Sequence, residues 1–213
     1  SKEFIEKTGA KVYTPFSLPL NPFSTEGTGS RWLDRSLFFN DLLSKIHSGI
    51  GPVQKENIKI AIKNSFQQNL GSSDPTIYQI FDSYKAQVSQ VDTPYSIMSN
   101  LVDGEHFESD PEKIMSFDRF LDGVVVINLS KLGQDDQTKN MLVAMFLNLF
   151  YEYMIKIQKK PFLGTDPSLR FIDSFLLVDE ADNIMKYNFS VLRSLLLQGR
   201  EFGVGVILAS QYL

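Results

Sequence analysis

Phe175-Leu176-Leu177-Val178-Asp179-Glu180 is the stretch on which the reading of this chain turns. Four apolar residues run straight into two adjacent carboxylates. Residues 171–178 read as a buried strand, so Asp179 and Glu180 fall at its C-terminal end. Upstream, residues 123–129 (Gly-Val-Val-Val-Ile-Asn-Leu) are β-branched and apolar throughout, which suits a strand covered on both faces. Downstream, residues 204–209 read as a third buried strand. Helical patterns fill the gaps, a long one over 138–159 and a shorter one over 188–198. Strand, helix, strand, helix, strand is the order of an α/β fold with a parallel, doubly wound sheet. Such sheets bind ligands outside the carboxyl ends of their strands, which is where the two carboxylates stand. The same residues also fit a purely structural role, Asp179 capping the next helix and Glu180 favouring its first turn.

A second feature lies at a telling distance. Residues 198–211 read Gln-Gly-Arg-Glu-Phe-Gly-Val-Gly-Val-Ile-Leu-Ala-Ser-Gln. An apolar strand ends in small residues and one amide, Gln211, on the same sheet edge as Asp179 and Glu180. An amide both donates and accepts, so Gln211 can sense a phosphate or a water there, or it simply opens a surface loop.

The rest of the chain bounds the problem. At 213 residues, 43% hydrophobic and 22% charged, it is long and apolar enough for a substantial core. The formal charge of −4 gives no broad basic face for nucleic acid, although a few short loops of a ring can still touch DNA. There is no cysteine, and His47 and His106 are the two histidines, which removes disulfides, thiol catalysis and a Cys/His metal site. No apolar run reaches the roughly 18 to 20 residues that span a bilayer; the longest, 141–157, carries Asn148 and Glu152 and reads as a buried helix. A cytoplasmic location is expected. Asp135-Asp136 reads as a solvated loop and helix start.

The N-terminal half divides in two. Residues 2–7 read as a helix stopped by Gly9, and Lys11-Val12-Tyr13 as a short strand. Pro15, Pro19 and Pro22 hold the following segment extended, and residues 27–30 read as a flexible joint. From 31 to 101 helical spacing takes over: Trp32, Leu33, Leu37, Phe38, Leu42 and Ile46; Ile58, Ile62, Phe66 and Leu70; Ile77, Ile80, Phe81, Tyr84 and Val88. Asp74 is expected to cap a helix that starts at Pro75, and another helix to begin near Pro94. The expected organisation is 1–30 as the start of an α/β core, 31–101 as an all-α insertion, and 102–213 as the remainder of the core.

Taken together, Leu-Leu-Val-Asp-Glu-Ala-Asp at 176–182 and the 198–211 stretch resemble the HerA/FtsK superfamily of ring-forming ATPases, closer to HerA-like proteins than to FtsK. Residues 123–130 resemble that superfamily's strand ending in Leu-Ser, and 10–23 its strand followed by an Asn-Pro turn. The resemblance implies an α/β P-loop NTPase (RecA-like) core with a parallel sheet, and ATP and Mg²⁺ as cofactors. Asp179 then corresponds to the Walker B carboxylate that holds Mg²⁺ through water, and Glu180 to the catalytic base. Gln211 corresponds to the polar sensor that meets the nucleotide. Arg200 matches an Arg that acts across a subunit boundary in catalysis; it equally fits a cation placed at a helix C-terminus. Asp182 reads as a helix-surface charge.

The superfamily's G-x-x-x-x-G-K-S/T loop is absent, and Gly27-Thr28-Gly29-Ser30 lacks its Lys and span. With Ser1 opening directly on a helix, the expectation is a loop upstream of Ser1 and a chain that alone hydrolyses poorly. The resemblance implies a homo-hexameric parent that translocates double-stranded DNA in repair, restriction or defence, with a possible nuclease or defence-system partner. A conjugation or secretion motor is the second reading, and a non-catalytic binding module on a decayed ATPase fold the third.

Overall fold

Both β-ladders in the structure are parallel, as the alternation of strands and helices requires. A computed structural model describes residues 2–25, 31–70, 73–165 and 169–210. The chain divides into two units, Ser1–Lys139 and Asn140–Leu213. In the first, helix α1 (Lys2–Thr8) ends at Gly9, whose φ of +64° makes the left-handed stop that a side chain would resist. Strand β1 (Lys11–Tyr13) follows and pairs with β2 (Val125–Ile127), Val12 opposite Val126.

Helices α2 (Trp32–Ile46), α3 (Pro52–Gln68), α4 (Ile77–Lys85) and α5 (Thr93–Asp103) follow β1 in the chain. Consecutive helices pack on one another. The buried face of α2 is offset from the expected stripe. Phe39, Leu42, Leu43 and Ile46 are buried, whereas Leu37 is 61% exposed. Leu70 lies beyond the end of α3 and is also exposed. On α4, Ile77, Ile80, Phe81 and Tyr84 are buried as the spacing predicts.

Asp74 does not cap α4. Its carboxylate instead accepts from Thr25, Oγ1 to Oδ2 2.9 Å, and α4 starts after Thr76, whose amide donates to Gln79 Oε1 at 2.9 Å. A carboxylate satisfied by a residue far away in sequence is a tertiary choice that local capping statistics do not contain. The predicted Asn-Pro turn has a similar anchor. Buried Asn21 donates to the carbonyls of Asp74 and Pro75 and accepts the amide of Phe23, and Phe23 meets the Phe39 ring edge-on at 5.1 Å. Residues 27–30, read as a joint, lie outside the described residues.

Helix α6 (Phe117–Phe120) precedes β2, and buried Phe120 stacks 4.6 Å from the Tyr13 ring. The strand expected over 123–129 is shorter, because Asn128 turns its side chain back to accept the Ser130 amide at 3.0 Å and opens a 3₁₀ turn over Leu129–Leu132. Helix α7 (Asp136–Met154) starts where Asp135 accepts the Thr138 amide at 3.1 Å. It stops short of the expected 159. Lys160 gives its amide to the Glu201 carbonyl at 2.8 Å, and Pro161 disfavours helical backbone just before it.

In the second unit β3 (Ser174–Val178) leads through α8 (Asp182–Met185) and α9 (Ser190–Gln198) to β4 (Val204–Leu208). The strands pair in parallel register, Phe175 opposite Gly205 and Leu177 opposite Ile207. The strands were expected to be covered on both faces, and they are not. Leu176 and Val178 are buried, but Phe175 and Leu177, which point the other way, are 67% and 61% exposed. Their period-2 alternation has one covered face, and a continuous apolar run hides that alternation. Among the described residues no helix is long and apolar enough to cross a membrane.

Candidate functional site

Strands β3 and β4 end side by side, so the residues after Val178 and Leu208 emerge at one edge of the pair. The two exits are stitched together. Ala209 N donates to Val178 O at 2.9 Å, Ala181 N to Ala209 O at 2.8 Å, and Ser210 Oγ to Asp182 Oδ1 at 3.1 Å. Two glycines allow β4 to approach. Gly203 has φ +79°, and a Cβ on Gly205 would lie 2.6 Å from the Phe175 ring.

Asp179 and Glu180 occupy the turn between these ties, both exposed. Asp179 Oδ1 accepts the Glu180 amide at 3.0 Å. Asp179 therefore does not cap α8, whose N-cap is Ala181 with no side-chain acceptor. Glu180 has φ +51°, the left-handed region that costs a non-glycine residue roughly 1–2 kcal/mol. Its carboxylate makes no hydrogen bond or ion pair among the described residues. Ser17, Glu105 and Asn188 share this left-handed conformation, so at Glu180 it is the position after β3, and not the backbone alone, that marks the residue.

Three other residues singled out by sequence fall differently. Arg200 sits in the 3₁₀ turn Gly199–Phe202 that precedes β4, so it lies at the opposite end of the strand from the carboxylates. Five residues of strand separate those ends by about 16 Å. Within this chain Arg200 is not brought to Asp179 and Glu180; its place directly after α9 fits a cation at a helix C-terminus. Gln211 lies outside the described residues. Asp182, read as a surface charge, instead receives the Ser210 hydroxyl. Sequence reasoning passed over Ser210; its place in Ala-Ser-Gln, one step before the expected sensor, was the available signal.

The chemistry of the donors decides what they could hold. Among the described residues no cluster of three or more His, Cys, Asp or Glu converges, so an all-protein metal cage is not formed. One or two carboxylates at a sheet edge suit a hydrated Mg²⁺ that takes its remaining ligands from water and phosphate. The histidines are structural by contrast. Buried His106 donates from Nδ1 to the Pro15 carbonyl at 2.6 Å, and burial lowers the pKa of His47 against the pull of Asp135.

No protein-family model and no curated protein matches the sequence. Solved structures do match. VirB4 of Thermoanaerobacter pseudethanolicus superposes with a TM-score of 0.69 at 14% identity, over 99% of this chain and 59% of that one. The bacterial conjugative coupling protein TrwBΔN70, in complex with sulphate, gives a TM-score of 0.47 at 13% identity, covering 95% and 52%. The plasmid coupling protein TrwB in complex with ADP and Mg²⁺ gives 0.42 at 13% identity, covering 93% and 52%. The chain thus spans under two thirds of the VirB4 chain. What the VirB4 likeness establishes is the fold, the mixed α/β P-loop NTPase fold with parallel strands.

Proposed function

We propose that this chain is part of an ATP-driven motor of the conjugation or secretion kind, moving protein or single-stranded DNA, and that the whole protein works as a homo-hexamer. The observation that carries the proposal is an exposed Asp-Glu pair, at the carboxyl edge of a parallel strand pair, in a fold shared with VirB4. That likeness weighs for this reading over a HerA-type translocase of repair, restriction or defence. In the proposed site Asp179 holds hydrated Mg²⁺ and Glu180 orients and polarises the attacking water. Gln211 contacts the phosphate, and Arg200, too far from its own site, serves a neighbouring subunit. Bound Mg²⁺·ATP supplies the phosphoryl group and neutralises its charge. Residues 31–101 are then a helical insertion in a core formed by 1–30 and 102–213.

The test is ATP hydrolysis by the whole protein beside a Glu180→Gln variant. Removing a general base costs on the order of 100-fold or more in turnover, with binding retained. Equal turnover in the two proteins would sink the assignment of Glu180. Absence of both turnover and nucleotide binding would favour a binding module on a decayed fold. Stimulation by double-stranded rather than single-stranded DNA would return the HerA-type reading.

A further inference from the structure

Resting on that reading of the site, we infer that Asp182 is a positioning residue, which aims Glu180 and the end of β4 at one another through its hydrogen bond with Ser210. The backbone ladder between the two exits closes with Ala181 N to Ala209 O. Asp182 Oδ1 accepting from Ser210 Oγ at 3.1 Å carries the connection one residue further on each side. Glu180 is turned out of the ladder with φ +51°, held between Asp179 and the Ala181-Asp182 pair. The direction of its carboxylate therefore depends on how firmly Ala181 and Asp182 are fixed. On the other strand, Ser210 immediately precedes Gln211. One bond thus registers the turn that carries the proposed base against the strand end that carries the proposed sensor. A residue acting only as a surface charge would show an effect that depends on its charge. A positioning acceptor depends on its oxygen, which asparagine also supplies.

The experiment uses the whole protein and compares Asp182→Ala, Asp182→Asn, Ser210→Ala and the double variant Asp182→Ala/Ser210→Ala. Misplacement of a catalytic group by a fraction of an ångström is expected to lower kcat about 10-fold in each alanine variant, with KM for ATP within about 2-fold. The double variant should be no worse than the slower of the two single ones, because both remove the Asp182–Ser210 bond. Asp182→Asn should stay within about 2-fold of the unmodified protein. A second readout needs no nucleotide: amide hydrogen exchange of segments 179–182 and 208–210 should accelerate in both alanine variants and not in Asp182→Asn. Multiplying effects in the double variant, or an asparagine variant as slow as the alanine one, would overturn the inference while leaving the hydrolysis reading intact. Failure of the hydrolysis reading shows separately, as turnover that Glu180→Gln does not change. In that event unchanged exchange in Asp182→Ala also overturns the tie itself.

Discussion

Replacing Glu180 by glycine should separate the stability of the site from its chemistry. Glu180 holds φ +51°, and its side chain makes no contact that repays the strain among the described residues. Left-handed backbone costs a side-chain-bearing residue roughly 1–2 kcal/mol, and glycine is free of that cost. Glycine also gives the unfolded chain more freedom, which opposes folding by about 0.5–1 kcal/mol. The net expectation for Glu180→Gly is between about 0 and 1.5 kcal/mol of added stability. At about 2–4 °C per kcal/mol for a chain of this size, the midpoint should rise by up to about 6 °C. Glu180→Ala keeps the strain and should stay near the unmodified midpoint. Thermal unfolding of residues 1–213 measures all three, and hydrolysis by the whole protein measures the loss of the base. A glycine variant more than about 1 kcal/mol less stable than the alanine variant would refute the reasoning, since the turn would then not be left-handed.

Two further outcomes follow from the first unit. Asp92 caps α5 by accepting the Tyr95 amide at 3.0 Å and takes the hydroxyl of fully buried Tyr84 at 2.9 Å. Asp92→Ala loses the cap, about 1 kcal/mol, and orphans that hydroxyl, about 1–3 kcal/mol; a loss of about 2–4 kcal/mol in urea unfolding is expected. Tyr84→Phe in the same background should restore part of it, and a loss under about 1 kcal/mol for Asp92→Ala would contradict the pairing. Burial lowers the pKa of His47, so the folded state prefers its neutral ring. Its contribution is present in full above the unfolded value near about 6.5 and is lost as pH falls toward the lowered folded value. The urea midpoint should drop between pH 7.5 and 5.5, and drop less in His47→Gln; identical slopes would show that the ring is solvated.

How far the sequence can be read depends on the range of the interaction involved. The strand before Asp179-Glu180, the helices between strands, the Gly9 stop and the helix start at Asp135-Asp136 all rest on local patterns, and each stands in the structure close to its expected place. The misplacements have a common cause. Asp74 is a good N-cap by local rules and is drawn away by Thr25, 49 residues distant in sequence. The 138–159 helix ends at Met154, before the segment in which Lys160 pairs with Glu201. The apolar runs in β3 and β4 look doubly covered, yet Phe175 and Leu177 face outward, because a run of apolar residues states that burial is possible and not which face receives it.

The sequence alone determined that strands and helices alternate, that the strands are parallel, and that two carboxylates stand at the carboxyl end of one of them. Those properties follow from period, β-branching and chain order, which are local or follow from the short connections the chain allows. The tertiary structure alone decided that Glu180 is held in a left-handed turn between the ties to Ala209, and that Asp182 meets Ser210 across 28 positions of sequence. Each depends on two segments that come together only when β3 and β4 pair, and no pattern within either segment records that meeting.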